Sequence, residues 1–293
     1  MESENPGRPR LVLVVTLTAL FAAYLLYEVL HAGHLEQTSL FYVGIPAAIA
    51  IIVAITARPK SATGMAMATI TIGLALAGPL LGEGVVCLLM SAPLFYFVGL
   101  LVGGSIDYAR RKGGHAVAVV APLLLVALLE GATPFTSLPR DEQVTAVATA
   151  ARDVDIEAAL AGQPAFGPVT SPLLRLGFPR PLGSEGRGLA VGDTRTITFT
   201  PRRSLGIGAP LEPRAMTLRV AERAPGRAVF RVEHDTTLAR WMDLREAEFR
   251  WRGRRIEVTF RYRRTFDPGW YFGPLQRYAA TQAAGYLAAA FTS

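Results

Sequence analysis

Cysteine and lysine are almost absent from this 293-residue chain. The single cysteine, Cys87, excludes a disulfide within the chain, a zinc site made of cysteines and a dithiol redox pair. Lysine occurs only at Lys60 and Lys112, whereas arginine, alanine and glycine are abundant, a bias that indicates a GC-rich bacterial genome. Charge is scarce between residues 11 and 139, which excludes an ordinary soluble enzyme over that half of the chain.

The residues that are present divide the chain into an apolar half and a polar, basic half. Hydrophobic residues make up 51% of the chain, and the mean hydropathy is +0.32. Residues 141–293 hold 22 arginines against 16 acidic residues, which suggests nucleic acid or anionic lipid as a partner. The arginines alternate with acids, as in Arg245-Glu246, and no nucleic-acid-binding motif is present. We therefore expect membrane lipid as a partner and no nucleic acid.

The apolar half contains five runs that predict membrane-spanning helices, since about 20 apolar residues cross a bilayer. A cleaved signal peptide does not explain the first run, because no small-x-small cleavage site follows it and four more runs do. We predict an all-α transmembrane bundle over residues 1–130 and a linker over 131–140. The five runs are 11–30, 40–57, 64–81, 85–102 and 115–129, of which the last is the shortest.

Basic residues alternate between the connectors of this bundle, and such residues stay on the cytoplasmic side of a membrane. The pattern predicts a multi-pass protein of the bacterial cell membrane, with a cytoplasmic N-terminus and an extracytoplasmic C-terminal domain. If the run 115–129 does not span, the domain is cytoplasmic instead. The basic connectors carry Arg8 and Arg10, then Arg58 and Lys60, then Arg110, Arg111 and Lys112.

The bundle favours an anchor over a transporter, because no ionisable group lies deep within a span. Gly99 and Gly103 form a small-xxx-small face suited to close helix packing. Glu28, His31 and His34 have spacings that could ligate a metal, but interfacial residues at a helix end explain them better. We therefore expect no metal and no cofactor.

The polar half, residues 141–293, has the pattern of an α+β domain. Its strand-like runs have one polar and one apolar face, which indicates an antiparallel sheet. An alanine-rich helix follows over 272–291, beginning near Gly273-Pro274, with Leu275, Tyr278, Ala279, Gln282 and Tyr286 on one stripe. The predicted elements are a short strand at 143–149, a helix at 154–161 capped by Asp153, and strands at 194–200, 215–223, 227–235, 238–251 and 255–266.

This order of elements resembles the START-like helix-grip superfamily, also called SRPBCC, and especially its polyketide cyclase/dehydrase and lipid-transport-like members. The resemblance covers about residues 141–293 and is carried by 144–160, 190–195 and 262–275. It implies a curved antiparallel sheet around a long C-terminal helix, with a cavity for lipids, sterols or aromatic polyketides. Only some members of the superfamily are enzymes, and the membrane half departs from their usual soluble pattern.

Two polar residues carry the chemistry that such a cavity would need. His234 beside Asp235 could act in general acid-base catalysis, although a core histidine is the simpler interpretation. Arg264 could bind a carboxylate or phosphate head group, although a structural arginine paired with an acid is more common. The residues predicted to line the cavity are Phe230, His234, Trp241, Phe249, Trp251, Tyr262, Arg264, Tyr278 and Gln282.

Three functions are compatible with this architecture. The first is a membrane protein whose START-like domain binds a hydrophobic or lipid-like small molecule without catalysis. The second is a cyclase, dehydratase or hydrolase that uses His234 and Arg264 on a membrane-partitioned substrate. The third is a regulatory or scaffold protein that pairs with another membrane protein through its arginine-bearing sheet face.

Overall fold

The computed structural model divides the chain into two compact units, one with two long helices and one with a sheet. The predicted runs 11–30, 40–57 and 115–129 lie outside the described residues, as do Glu28, His31 and His34. The residues that the structure describes are 60–81, 85–112, 130, 138–151, 153–175, 178–203, 211–239 and 241–292.

The helical unit contains α1 (Ala62–Leu81) and α2 (Val85–Lys112), which pack against each other. The predicted runs 64–81 and 85–102 lie within these helices, but α2 continues for ten residues beyond its run. One segment of α2, Cys87–Arg111, is long and apolar enough to cross a membrane, and it is the one such segment among the described residues. The other spans and the orientation stay predictions.

Polar contacts and glycines join α1 to α2. The Asp107 carboxylate accepts hydrogen bonds from the backbone nitrogens of Ala62 and Thr63, at 2.7 and 3.0 Å, and therefore caps the start of α1. This cap gives a physical role to the polar end of α2. At Gly103, an added Cβ would lie 2.5 Å from the Thr63 Cα, so the two backbones approach as closely as the glycine allows.

The sheet unit begins with β1 and ends with a long helix. Its elements are β1 (Asp141–Thr149), α3 (Ile156–Ala161), α4 (Pro172–Arg175), β2 (Pro181–Glu185), β3 (Thr194–Arg203), β4 (Leu211–Ala224), β5 (Arg227–Asp235), β6 (Met242–Arg252), β7 (Arg255–Arg264) and α5 (Gly269–Ala289). The seven strands form one sheet in the order β1-β7-β6-β5-β4-β3-β2, and α5 packs against β1 and β7. A curved antiparallel sheet with a C-terminal helix fits the predicted helix-grip fold.

Small side chains on α5 face the sheet. The buried residues of α5 include Gly273, Gln276, Ala280, Ala284 and Ala288, which recur at the spacing of one helical face. The predicted stripe was therefore wrong in register, and of its members only Ala279 is buried. The reason is size, because glycine and alanine let the helix backbone approach the large side chains of the sheet.

Local turn chemistry explains the other differences from the predicted elements. Asp155, rather than Asp153, caps α3 by accepting a hydrogen bond from the Ala158 nitrogen. Asp235 Oδ1 accepts hydrogen bonds from the nitrogens of Thr237 and Leu238, which ends β5 in a turn and delays β6 to Met242. The helix α5 begins at Gly269, where the Glu130 carboxylate accepts from the backbone nitrogen. Strand β2 lies in a Gly- and Pro-rich stretch without a strand-like pattern.

We expect Gly103→Ala to destabilise the helical unit, because the methyl group would overlap the Thr63 backbone. Overpacking of this kind costs about 1–3 kcal/mol. The full chain in detergent should lose its monodisperse peak on size-exclusion chromatography at a lower heating temperature than the wild type. Gly104→Ala is the matched control, since nothing lies within 4 Å of its added Cβ. Equal heat resistance of the two variants would contradict the close packing at Gly103.

Candidate functional site

Three of the predicted cavity residues, Phe230, Phe249 and Tyr262, lie on the inner face of the sheet, toward α5. All three are buried in the hydrophobic core. The rings of Phe230 and Phe249 meet edge to face at 5.4 Å, and Phe249 meets Phe291, beyond the end of α5, at 5.6 Å. Phe230, Phe249 and Phe291 thus form one aromatic cluster, and whether a ligand contacts the predicted side chains stays a prediction.

Two tryptophans of the predicted set pack at the margins of this core. Trp241 contacts the rings of Phe178 and Phe266, at 5.3 and 5.9 Å between centroids. The guanidinium of Arg223 lies over the ring of Trp251 at 4.8 Å. Both side chains are partly buried and pack against other side chains of the sheet unit.

The placement of His234 on the apolar face is wrong. In the pairing of β4 with β5, Thr217 lies opposite His234 and Leu218 lies opposite Val232, so Glu233 is an extra residue in β5. This β-bulge reverses the alternation of β5, and His234 is exposed. His234 and Arg264 therefore do not meet in the interior, and the enzyme hypothesis loses the pair of residues on which it depended.

Arg264 is buried, with 2% of its side chain exposed, and it is surrounded by acceptors. Its guanidinium donates to the Asp267 carboxylate at 2.8 Å and to the Phe266 carbonyl, and the Glu130 carboxylate lies 3.7 Å away. An added Cβ at Gly269 would lie 2.2 Å from Arg264 Nη2, so this arginine packs directly against the start of α5. Protein groups balance the charge of Arg264, and the side chain has a structural role at the start of α5.

Tyr278 is 56% exposed on α5, so the prediction that it lines a cavity is wrong. Gln282 lines a pocket of about 490 Å³, formed by α5 and the segment that contains α4. The Tyr286 hydroxyl donates to the Gly167 carbonyl at 2.8 Å, and the Ala165 nitrogen donates to the Ala290 carbonyl at 3.3 Å. These two hydrogen bonds hold the walls of the pocket together.

Small and apolar residues dominate the lining of this pocket. Gly285 of α5 faces Ala146 of β1, and an added Cβ on the glycine would lie 3.8 Å from the alanine Cβ. The Ser171 hydroxyl is buried in the unit without a hydrogen-bond partner. The lining residues are Ala146, Ala165, Gly167, Pro168, Val169, Thr170, Ser171, Leu174, Thr281, Gln282, Gly285, Tyr286, Ala289 and Ala290.

Sequence reasoning missed two buried polar residues on the inner face, Arg195 of β3 and Ser184 of β2. Arg195 is 5% exposed and Ser184 is 9% exposed. Arg195 Nε and Ser184 Oγ have no hydrogen-bond partner. Burial lowers the pKa of Arg195. Alternation in β3, with buried Ile197 two residues after Arg195, was the signal that could have placed this arginine inside.

The outer face of the sheet carries a network of ion pairs centred on Glu248 of β6, of which 2% is exposed. Arg227, Arg250 and Arg261 donate to its carboxylate at 2.6, 2.6 and 2.7 Å. Burial alone raises the pKa of Glu248, but the hydrogen bonds from the three arginines outweigh burial and lower the pKa to about 2. Many arginines of the face proposed for a protein partner are thus already paired within the sheet.

Comparison with known proteins gives distant structural similarities over about half of this chain. No protein-family model matches the chain, and no curated protein is significantly similar to it. Ginseng major latex-like protein 151 from Panax ginseng is 12% identical, with 49% of this chain and 97% of that chain covered and a TM-score of 0.29. A protein from Chromobacterium violaceum is also 12% identical, with 52% and 99% covered and a TM-score of 0.27.

A polyketide cyclase-like protein from Corynebacterium glutamicum is 12% identical, with 53% of this chain and 91% of that chain covered and a TM-score of 0.28. At such identities and TM-scores, the assignment of the fold depends on the strand order, the pairing register and the terminal helix described above.

We expect the stability of the sheet unit to depend on pH through Glu248. Because its pKa falls from 4.5 to about 2 on folding, its ion pairs stabilise the folded state above pH 4.5 and are lost as the pH falls toward 2. This shift corresponds to roughly 3 kcal/mol. Glu248→Gln should therefore lower the free energy of unfolding at pH 7 and flatten its decline between pH 4.5 and 2.

Tryptophan fluorescence during denaturant unfolding measures this effect, because all three tryptophans of the chain, Trp241, Trp251 and Trp270, lie in the sheet unit. Glu233→Gln is the control, since its pair with Arg219 is exposed and such pairs contribute less than about 1 kcal/mol. A Glu248→Gln variant with the pH dependence of the wild type would show that the network does not stabilise the fold.

Proposed function

We propose that this chain is a bacterial membrane protein whose sheet unit binds a hydrophobic or lipid-like small molecule without catalysing a reaction. The observation that carries the proposal is the pocket between α5 and the segment 165–174. Its volume of about 490 Å³ lies in the range of small-molecule sites, about 300–1,000 Å³.

The chemistry of the pocket lining supports an apolar ligand with few polar atoms. Gly285, Ala289 and Ala290 leave the α5 side of the pocket without long side chains. Thr170, Thr281 and Gln282 place a few polar side chains in the lining, and such isolated polar groups fix the orientation of an apolar molecule. The START-like resemblance of the sequence implies ligands of the same class, namely lipids, sterols or polyketides.

Gly285→Leu should close the pocket and remove its ligand. Gly285 lines the pocket, and the Ala146 Cβ, at 3.8 Å, is the one atom of the described residues, outside the α5 backbone, within 4 Å of an added Cβ at this position. The leucine side chain therefore has room to extend into the free volume of the pocket. We expect mass spectrometry of organic extracts to find a hydrophobic molecule with the purified full chain and at least fivefold less with the variant. Tyr278→Leu is the control on the exposed side of α5. Equal amounts of the hydrophobic molecule in Gly285→Leu and the wild type, or none in either, would contradict ligand binding in this pocket.

Membrane attachment is supported by α2 and by the end of the sheet unit where the chain enters it. Glu130 directly follows the apolar run 115–129 in the sequence, and its carboxylate accepts a hydrogen bond from the Gly269 nitrogen at 2.8 Å. Trp270, the residue after Gly269, is 49% exposed, and exposed tryptophans are enriched at membrane surfaces. We propose five spans, a cytoplasmic N-terminus and an extracytoplasmic sheet unit.

A reporter fused after Ser293 tests this orientation. Alkaline phosphatase folds only outside the cytoplasm, where its disulfides form, so the fusion should be active. A green fluorescent protein fused at the same position should be dark or weak if it is exported unfolded. A fluorescent fusion with no phosphatase activity would show that the run 115–129 does not span the membrane and that the sheet unit is cytoplasmic. Recovery of the full chain in the soluble fraction without detergent would overturn membrane attachment altogether.

A further inference from the structure

Three charged residues are buried among the residues that the structure describes, namely Arg195, Glu248 and Arg264. Glu248 contacts three arginines, and Arg264 contacts Asp267 and Glu130. For Arg195, no carboxylate of the described residues lies within 4 Å, the limit for an ion pair. Its charge is the buried charge that the described part of the protein does not balance.

The surroundings of Arg195 hold the guanidinium in place but leave donors free. Its Nη2 donates to the Leu160 carbonyl near the end of α3 at 2.6 Å, and its Cζ lies 5.6 Å from the centre of the Phe230 ring. Its Nε has no partner. Leaving a buried donor and a buried charge unsatisfied is costly, so the site is suited to an anion that supplies both acceptor and charge.

Ser184 supplies a second free polar atom beside this guanidinium. It lies opposite Ile197 in the pairing of β2 with β3, which makes it the diagonal neighbour of Arg195 on the inner face. Diagonal neighbours in a sheet are about 7–8 Å apart, within reach of an arginine side chain. The buried Ser184 hydroxyl also has no hydrogen-bond partner. Two unpartnered donors on adjacent strands therefore face the same apolar interior.

We propose that Arg195 and Ser184 bind the anionic head group of an amphiphilic ligand, a carboxylate or a phosphate monoester, whose apolar part contacts the inner face of the sheet. This inference goes beyond the proposed function, because it places a second ligand site, for an anionic amphiphile, in the same sheet unit. A guanidinium and a hydroxyl match the oxygen atoms of both groups, and hydrogen bonds to charged oxygens are stronger than neutral ones.

The site is distinct from the pocket beside Gly285. Leu160 and Phe230, which contact the Arg195 guanidinium, do not line that pocket. Arg195 is also distinct from the predicted head-group residue Arg264, whose donors bind Asp267 and backbone carbonyls. The proposal thus assigns head-group binding to Arg195, which has no carboxylate partner among the described residues, instead of to Arg264, which is paired with Asp267.

Binding of matched twelve-carbon probes to the full chain tests the proposal. Radiolabelled laurate, dodecyl phosphate and dodecanol share one tail and differ in the head group. Equilibrium dialysis against phosphatidylcholine nanodiscs that hold the full chain, corrected with empty nanodiscs, measures each dissociation constant. We expect laurate or dodecyl phosphate to bind at least tenfold more tightly than dodecanol, and the stronger of the two identifies the head group.

Arg195→Met should reduce the affinity for the anionic probe at least tenfold and leave that for dodecanol within twofold. Arg195→Lys should retain most of the preference for the anion, because it keeps the charge. Ser184→Ala should reduce the affinity for the anionic probe about threefold, because one hydrogen bond is lost. The control is Arg219→Met, since this arginine is 53% exposed and paired with Glu233.

The outcomes separate this inference from the proposed function. Tight binding of all three probes without a preference for the anions would overturn the head-group site and leave hydrophobic-ligand binding intact. Binding of none of the probes would count against both. If Arg195→Met fails to fold, as judged by tryptophan fluorescence, Ser184→Ala decides, because unchanged anion affinity in that variant overturns the site.

Discussion

A helix face of glycine and alanine rests against a sheet face of large side chains, and the sheet unit is organised by that contact. Gly273, Ala280 and Ala284 bring the backbone of α5 close to β1 and β7. Phe249 and Phe260 of the sheet belong to the same buried core as Ala280 and Ala284 of the helix. Because the large residues of α5 are excluded from this face, Tyr278 is exposed and Tyr286 lies at a pocket wall.

Among the described residues, buried charges follow one rule with one exception. Desolvation of a charged side chain is costly, and Glu248 and Arg264 show how the fold compensates for it with several hydrogen bonds each. Glu130 contributes to that compensation from outside the sheet, since it also accepts from the start of α5. Arg195 has one carbonyl and one aromatic face instead, so it is the position where an external anion would complete the pattern.

Much of the sheet could be predicted from the sequence, because alternation of polar and apolar residues is a local property. The strands 227–235 and 255–266 were predicted within two residues of β5 and β7. The bulge at Glu233 could not be predicted, since it depends on how β4 and β5 pair, and it moved His234 to the surface. The partners of Arg264 were equally inaccessible, because Glu130 lies far from it in sequence.

Turn chemistry determines which arginine enters the interior. Gly192 has a φ of 100°, a conformation that favours glycine, and the Asp193 carboxylate accepts a hydrogen bond from the Ala190 nitrogen at 2.8 Å. The turn is joined to β4 in both directions, since the Gly192 nitrogen donates to the Val220 carbonyl and the Val220 nitrogen donates to the Asp193 carbonyl, each at 2.9 Å. These bonds fix the residue at which β3 begins, and the alternation of a strand then points Arg195 inward. A shift of one residue at this turn would expose the guanidinium to water, so the unpaired charge inside the sheet unit follows from a specified local structure.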